Sequence, residues 1–600
     1  MTGRVQTVDD IINPDHLATK IAADWIVKDN MRQTWKTDKE EVRRYIYATD
    51  TSHTSNAQLP WKNKTTIPKS CQIMDNLYSN YTATLFPQRK NIAWEANELL
   101  SDSKKKRDSI INLAVWWMEQ PQFKTEMDKV ILDYIQMGNC FVTVDWLDTR
   151  AEQPLQMQSG YVGPIPKRIS PIDIVMNPTA DSFTQSPKII KSTISLGELK
   201  EHLQRLSSDG NREEYEELWT YLKEIRGSAK AASGEWQQLD NLYQMDGFSS
   251  FQMYLQSDTV EILTFYGDMY DTENDELLKN HVITVVDRHK LVGKKPNPSV
   301  FSYPPIFHSP WRRRQDNLWG MGPLDNLVGM QYRLDHVENM KADIWDLVTY
   351  PVIKTKGFVE AFNWQPGEVI QTSEEGDVDL VQPAVQIMQS NSENAFLQSM
   401  MEEMAGAPKE AMGFRTPGEK TKYEVQRLEN AASRVFQNKI KQFEEQILER
   451  LLNAMLELAR RNLTGSTVIK VFDDDFKAAT FKTLTVEDIT GVGRIRPIAA
   501  RHFAEQAELI QNLTSLSQSQ LWPTVQPHFS SVKLAKMFER AFNIEDQEIV
   551  LPYVSISEQA EGQRLAQAMQ EQTIQATQTA SGMGNDFDQD QFAGAVEQGI

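Results

Sequence analysis

The stretch PPIFHSPWRRRQDNLWGMGPLDNLVGMQYRLDHVENMKADIWDLVTYPVI, residues 304–353, decides how the chain is interpreted. A proline-rich approach, three consecutive arginines and a Gly-Met-Gly turn lead to Pro323, which suits the first turn of a helix. The following residues predict a helix over 323–350, roughly 40 Å long at about 1.5 Å per residue, which Tyr350-Pro351 ends. Its apolar side chains recur at steps of three and four residues and form one stripe: Leu327, Met330, Leu334, Val337, Met340, Ile344 and Leu347.

The C-terminal half continues with alternating helical and irregular segments. Residues 352–385 carry several glycines and prolines and predict short strands and turns. The longest helix is predicted over about 424–462, where one apolar side runs for nearly 60 Å at roughly 1.5 Å per residue. A helix of that length is typical of elongated or assembled proteins. The other predicted segments are a helix over about 386–404, a loop over 405–423, strands over 466–495, helices over 500–545 and a glutamine-rich tail from Glu558.

The N-terminal half mixes helices with a β-hairpin. Apolar spacing predicts two helices over 103–137, broken at Pro121 and followed by a strand. Apolar and polar residues alternate in a hairpin predicted over 259–288, with the acidic segment 268–276 as its long polar loop. The stretch 41–68, rich in Thr, Ser, Asn and Lys, predicts a loop. Together these segments predict an α+β protein of several lobes.

Composition restricts the classes of function. The 600-residue chain has 63 Lys and Arg against 83 Asp and Glu, a formal net charge of −20. A protein that reads DNA sequence over a broad surface would carry a basic excess instead. The two cysteines exclude a disulfide scaffold and a four-cysteine metal site. The N-terminus does not resemble a signal peptide, and no apolar run suggests a membrane helix, so we expect synthesis and use in the cytoplasm.

Motifs of catalysis and cofactor binding are missing from the sequence. There is no phosphate-binding P-loop and no serine nucleophile elbow, and the histidines are scattered. Gly320-Met321-Gly322 is only half of a dinucleotide fingerprint. Asp271, Glu273 and Asp275 have the spacing of a calcium loop, but Glu276 stands where its sharp turn requires glycine. We therefore expect no enzyme activity, no cofactor and no metal site.

The order of these segments resembles that of the portal proteins of tailed bacteriophages, of the podovirus type. The approach through Trp311 and Gly320-Met321-Gly322 into a helix that ends at Tyr350-Pro351 is similar to the family's approach to its clip. GFRTPGEKTKYEVQRLENAA, residues 413–432, is similar to the tunnel loop and the start of the wing helix, and SPIDIVMNPTADS, residues 170–182, to a wing segment. Each motif by itself has low specificity for the family. Their common order is the specific signal, and it covers most of residues 70–510.

The resemblance implies an α+β portal fold. Its parts would be an N-terminal wing over 1–322, a first stem helix over 323–350, a small β-containing clip over 351–385, a second stem helix over 386–408, a tunnel loop over 409–423, a long wing helix with wing strands over 424–499, and a helical C-terminal crown and tail over 500–600.

The resemblance also implies a function and partners. Twelve copies would form a ring at one vertex of the capsid, assembled in the host cytoplasm and retained in the virion. The ring would be the channel through which double-stranded viral DNA is packaged and ejected. Its other partners would be the major capsid and scaffolding proteins, the terminase large subunit, and later the head–tail adaptor. No membrane is implied.

Such a channel must pass DNA without gripping it. Many basic residues around a ring would bind phosphates strongly, whereas acidic walls repel them. The predicted helix 323–350 therefore supplies the acidic wall candidates Asp335, Glu338, Asp343 and Asp346. The candidates for transient DNA contacts in the tunnel loop are Arg415, Lys420 and Lys422, although solvated loop charges have the same pattern.

Arg312, Arg313 and Arg314 form a run of three consecutive basic residues. They suit contact with DNA or with an acidic neighbouring subunit, and the acidic composition favours the subunit interface. Two other classes of function remain open. An enzyme of the packaging machine would need a phosphate loop or a paired-carboxylate metal site. An internal scaffold or ejection protein would be helical throughout, which the hairpin over 259–288 disfavours.

Overall fold

The structure, a computed structural model, describes residues 16–86, 92–97, 104–148, 161–207, 216, 219–220, 222–223, 259–272, 274–288, 290–297, 304–350, 352–357, 359, 371, 377–381, 391–405, 436–463, 466–473 and 478–497. All of them belong to one unit of the chain. Helices and antiparallel sheets are mixed along it, so the fold is α+β as predicted.

Helices dominate the first part of the chain and return at intervals. Their bounds are α1 His16–Met31, α2 Gln33–Tyr47, α3 Lys69–Leu85, α4 Lys104–Glu119, α5 Pro121–Gln136, α6 Leu196–Ser207, α7 Val328–Thr349 and α8 Asn391–Met404. Helix α9 is described over 436–462, with a π-helical turn at Glu444–Leu448 and an α-helical remainder Glu449–Asn462, and α10 is the short Val486–Ile489.

The strands form small antiparallel sheets. Their bounds are β1 Ile92–Ala96, β2 Asn139–Asp148, β3 Val162–Ile169, β4 Ile174–Met176, β5 Lys188–Ser195, β6 Thr259–Asp271, β7 Glu276–Val286, β8 Lys290–Pro296, β9 Ile306–Pro310, β10 Val352–Lys356, β11 Asp377–Val381, β12 Ser466–Asp473, β13 Ala478–Thr485 and β14 Gly493–Pro497. One sheet has the order β4-β5-β6-β7-β8, another β3-β2-β9, and the pairs β1-β14, β10-β11 and β12-β13 each form a two-stranded sheet.

The largest core lies where α3, α4, α5, α9 and strand β2 meet. Trp117 on α4 and Tyr134 on α5 are buried there as the apolar spacing predicted, and Pro121 occupies the first turn of α5. A second core forms where α1 covers the five-stranded sheet, with Trp25 against strand residues such as Phe265. Each core buries the apolar face of a helix that would be unstable alone in water.

Two predicted boundaries are wrong. Residues 41–47 were predicted as loop but complete α2, because Val42, Tyr45 and Ile46 fall on one buried helical face. The hairpin loop predicted over 268–276 is also too long. Strands β6 and β7 continue to Asp271 and Glu276 past a bulge between Gly267 and Met269, because Met269 and Leu278 pack into the core under α1.

The helices that flank β10 and β11 follow the prediction closely. After a 3-10 turn at Asp325–Leu327, α7 covers nearly the whole predicted range. Its apolar stripe is buried at Leu334, Val337 and Ile344, half-buried at Met340 and exposed at Leu347. Helix α8 lies inside the predicted 386–408, and the described part of α9 inside 424–462. The tunnel-loop range 409–423 and the crown range 500–600 lie outside the described residues.

Candidate functional site

One face of α7 holds an extended segment of the chain. We call residues 62–70 the strap; it is extended up to Pro68 and ends in the first turn of α3. Polar α7 side chains one turn apart bind it in sequence, and the strap runs in the opposite direction to the helix. Gln331 accepts hydrogen bonds from the amide and hydroxyl of Ser70 and donates one to the Ile67 carbonyl. Asn339 accepts a bond from the Thr65 amide at 2.8 Å and donates one to the Thr65 carbonyl at 2.7 Å. A run of backbone groups without a sheet partner is thereby satisfied.

Asp335 is the centre of this contact. Its carboxylate is fully buried and accepts hydrogen bonds from the Ile67 amide at 2.9 Å, the Thr66 hydroxyl at 2.9 Å and the Gln331 side chain at 3.0 Å. Burial raises the pKa of Asp335 to about 6, although the three donors favour the charged form. The prediction that Asp335 lines an acidic wall is therefore wrong, because its carboxylate faces the strap and no solvent.

Two further acidic candidates also bind the strap. Asp343 accepts hydrogen bonds from the amides of Lys62 and Asn63, both at 3.0 Å, and Asp346 accepts one from the Asn63 side chain at 3.0 Å. Asp343 is half-buried and Asp346 exposed. The spacing of Asp335, Asp343 and Asp346 therefore serves a contact within the chain, while the outer side of the strap exposes Lys62 and Lys64.

Helices α7 and α8 lie antiparallel. Lys341, in the second half of α7, donates to Asn391 at the start of α8 at 2.8 Å. Gln331, at the start of α7, instead binds Ser70, which lies beside Lys69, the partner of Glu402 at the end of α8. Glu338, the fourth acidic candidate, accepts a hydrogen bond from Asn394 at 2.9 Å, and Arg333 pairs with Glu393 at 3.1 Å. At the other end of α8, Glu402 forms a buried ion pair with Lys69 in the first turn of α3. Polar contacts therefore fasten the described length of α8 at both ends.

The outer side of α8 is apolar and exposed. Phe396, Met400 and Met404 are spaced by four residues, which places them on one face of the helix, and they are 64%, 39% and 40% exposed. Where α7 meets β10, Trp345 and Tyr350 are also exposed, at 50% and 74%. Exposed apolar side chains that follow one helix face mark a surface suited to another protein.

Strands β10 and β11 form a small antiparallel sheet between the two helices in sequence. Lys354 stands opposite Asp379 and Lys356 opposite Asp377, so opposite charges face each other across the strands. This sheet lies within the range 351–385, for which short strands were predicted.

The arginines stand on a closed loop, residues 311–322, which we call the arginine loop. Arg312 and Met321 exchange two backbone hydrogen bonds, of 3.0 and 3.1 Å, and the Trp311 amide donates to the Gly138 carbonyl at 2.9 Å. Gly138 has a φ of +66°, and a side chain there would lie 2.2 Å from the Gly322 nitrogen. The absence of a side chain at Gly138 therefore lets the backbone there pass directly against the backbone of Gly322 in the arginine loop.

All three arginine side chains of this loop are exposed. Arg314 lies 3.8 Å from Asp316, whereas no ion pair to another described residue is formed by Arg312 or Arg313. Beneath them, Lys439 of α9 donates a hydrogen bond to the Trp311 carbonyl and lies 4.7 Å from the Trp311 ring. Burial lowers the pKa of Lys439, and the charges of Arg312 and Arg313 lower it further.

No protein-family model and no curated protein matches this sequence. Within the described part of the chain, no group of three or more His, Cys, Asp and Glu side chains is placed to hold a metal ion. Among the same residues, no helix is both long and apolar enough to cross a membrane. The tunnel-loop candidates Arg415, Lys420 and Lys422 lie outside the described residues.

Partial signals for some of the missed features are present in the sequence. Gln331, Asp335 and Asn339 recur every four residues, which indicates a polar helix face, but their partners are more than 260 residues away. The π-helical turn at Glu444–Leu448 packs against β9 next to the arginine loop and has no signature in the sequence. Such turns frequently occur near functional sites.

Proposed function

We propose that this chain is the subunit of a portal ring, the channel at one capsid vertex for packaging and ejection of double-stranded viral DNA. The ring would contain about twelve copies, as the resemblance implies. It would meet the terminase large subunit and then the head–tail adaptor on the outside, and the major capsid and scaffolding proteins around its rim. The chain would act as a structural component of the virion and not as an enzyme.

The observation that carries the proposal is the antiparallel pair of α7 and α8, joined in sequence through the small sheet β10-β11. In a portal these would be the two stem helices and the clip, at the ranges 323–350, 351–385 and 386–408. Residues 409–423 follow the second helix in the sequence, at the position where the resemblance implies a tunnel loop. The long helix α9 follows, at the place of the wing helix.

The exposed stripe of Phe396, Met400 and Met404 supports assembly. Burying a large apolar side chain stabilises by about 1.5–3 kcal/mol, so a second copy packed against this face would gain from each of them. A contact between two different faces of the same chain is head-to-tail, and it closes into a ring when the rotation between copies permits.

The strap covers part of α7 and so reduces the set of acidic residues proposed to line the channel. Asp335 is covered, so the acidic candidates left to face DNA are Glu338, Asp343 and Asp346, and each of them already holds a polar partner. Transient basic contacts are still assigned to Arg415, Lys420 and Lys422. Neutralising both lysines should impair packaging or retention of DNA and leave rings intact.

The experiment for the proposed function is negative-stain electron microscopy of the purified chain, combined with native mass. We expect rings of about twelve subunits with a central hole. The variant Phe396→Asp/Met400→Asp should shift the mass toward single chains. Val27→Asp, at an exposed apolar position on α1, is the matched control and should leave rings unchanged.

A wild-type chain that stays monomeric or dimeric at micromolar concentration and across salt conditions contradicts the proposal. The alternative is another virion assembly component, an internal scaffold or ejection protein. That alternative predicts helices throughout, whereas this chain contains a five-stranded sheet and a three-stranded sheet.

A further inference from the structure

We infer that the arginine loop binds the phosphodiester backbone of duplex DNA through Arg312, Arg313 and Arg314. The inference deepens the proposed function, on which it rests for the presence of DNA beside the loop. It replaces the subunit interface, which the acidic composition had favoured for these residues, with a nucleic-acid contact.

The loop is held in place before any ligand arrives. Besides the paired backbone bonds of Arg312 and Met321, the Gly320 amide donates to the Asn139 side chain at 2.8 Å, and Gln442 of α9 donates to the Pro310 carbonyl. Trp311 is buried, and its indole donates to Tyr81 at 2.9 Å. Little backbone order remains to be gained on binding, which favours affinity.

The loop concentrates positive charge on an otherwise acidic chain. Arg312 and Arg313 have no described carboxylate partner, and at 3.8 Å the contact of Arg314 with Asp316 is long and solvent-exposed. Lys439 adds a fourth cation at the base of the loop and is itself directed to the Trp311 carbonyl. Guanidinium groups bind phosphate oxygens through two parallel N–H donors, so three exposed arginines in sequence suit a row of phosphates.

The surroundings of the arginines favour phosphate over protein. Stable protein interfaces contain a buried apolar or aromatic centre. Within the arginine loop Trp311 and Trp319 are buried, Leu318 and Met321 are half-buried, and the exposed side chains beside the arginines are the polar Gln315 and Asp316. A polar, basic surface without an apolar centre is typical of contacts to the DNA backbone. The exposed apolar residues lie elsewhere, on α8 and around Trp345.

The net charge of −20 limits how strong this contact can be. Repulsion from the acidic remainder of the chain opposes binding at long range, and the loop offers only a few phosphate contacts. The expected result is weak, salt-sensitive binding that lets DNA move, and no sequence preference is expected from backbone contacts alone.

The experiment measures binding of a fluorescein-labelled duplex DNA of mixed sequence to the full chain by anisotropy, from about 50 to 200 mM salt. Each phosphate contact adds about 0.9 to the slope of log affinity against log salt. Arg312→Gln/Arg313→Gln/Arg314→Gln should therefore weaken binding and reduce the slope by about 2–3. The variant with all three arginines changed to lysine should keep most of the slope.

The control removes three exposed charges at other places, with Arg43→Gln, Arg44→Gln and Lys295→Gln combined. It should keep the wild-type slope. Equal losses in both triple variants would indicate a general charge effect and overturn the inference, as would a wild-type chain that fails to bind DNA at the lowest salt.

Native mass of the same samples distinguishes a failure of the DNA-contact inference from a failure of the portal proposal. If the glutamine variant loses its assembly state while the control keeps it, the loop is a contact between copies, and the inference is wrong. If the wild-type chain forms no ring but the slope still depends on the arginines, the portal proposal fails and the DNA contact stands.

Discussion

Lys69 and Glu402 form a buried ion pair that joins the first turn of α3 to the last turn of α8. The ammonium and carboxylate lie 2.5 Å apart, the two side chains are 7% and 5% exposed, and Lys69 also donates to Gln72 at 2.9 Å. Because neither charge can be solvated where it lies, each depends on the other. The pair therefore fixes the position of α8 directly before residues 406–435.

Removing one partner of this pair should be costly. Glu402→Ala leaves the Lys69 charge buried and should lower the free energy of unfolding by about 3–5 kcal/mol. Lys69→Met/Glu402→Leu removes both charges and should recover most of that loss. Urea unfolding at fixed protein concentration, arranged as a double-mutant cycle, measures the difference. Equal losses in the single and double variants would mean that packing, and not the charge pair, is responsible.

Gly138 and Gly329 give a matched pair of glycine substitutions. Gly138→Ala combines a positive φ with an impossible contact to the Gly322 nitrogen and should cost at least about 3 kcal/mol. Gly329→Ala lies on α7, where a new Cβ meets nothing within 4 Å, and should stabilise the helix by about 0.5–1 kcal/mol. Thermal unfolding of both variants checks the signs. A tolerated Gly138→Ala would contradict the backbone crossing beneath the arginine loop.

The strap should detach locally when Asn339 is shortened. Asn339→Ala removes both hydrogen bonds to Thr65 and should cost about 1–3 kcal/mol, since those backbone groups are partly buried. Hydrogen exchange should then become faster at the amide of Thr65. Thr349→Ala, at the exposed end of the same helix, should change stability by less than about 0.5 kcal/mol. Unchanged exchange at Thr65 would show that Asn339 does not hold the strap.

Local signals in the sequence predicted much of the fold. The helices were found because apolar residues recur with the helical period, and because Pro121 and Tyr350-Pro351 mark boundaries through backbone sterics. The ends of the hairpin were missed because Asp271 reads as a loop residue. In the structure it is 1% exposed, and its carboxylate binds Asn274 and lies 3.8 Å from Lys294. The contact with Lys294, on another strand, is a tertiary contact, which composition cannot reveal.

The candidate site was less predictable than the fold. The acidic residues of α7 do lie along its surface. The sequence pattern is the same, however, for a carboxylate that faces solvent and for one that binds the backbone of a distant segment. Asp335 finds its partner in Ile67, 268 residues away. The exposure of the three arginines also depends on where Trp311 and Trp319 are buried. The burial of Asp335 and the exposure of the arginines therefore both depend on packing between segments that are remote in sequence.

Titration of Asp335 tests its burial directly. Its pKa is about 6 in the folded chain against 3.8 for the ordinary group, so the folded state holds the proton more tightly than the unfolded chain. Its contribution to stability is therefore complete below about pH 4 and is lost as the pH rises through 6. Between pH 4 and 7 the wild type should lose on the order of 2–3 kcal/mol relative to Asp335→Asn.

The comparison uses the difference between the two proteins at each pH, because other groups titrate equally in both. The burial-raised pKa of Asp133, about 6, is one of these and cancels. Thr349→Ala changes the same helix away from the strap and removes no titrating group, so its difference from the wild type should not depend on pH. A constant difference between the wild type and Asp335→Asn would mean that the carboxylate is solvated, and that the strap does not cover it in solution.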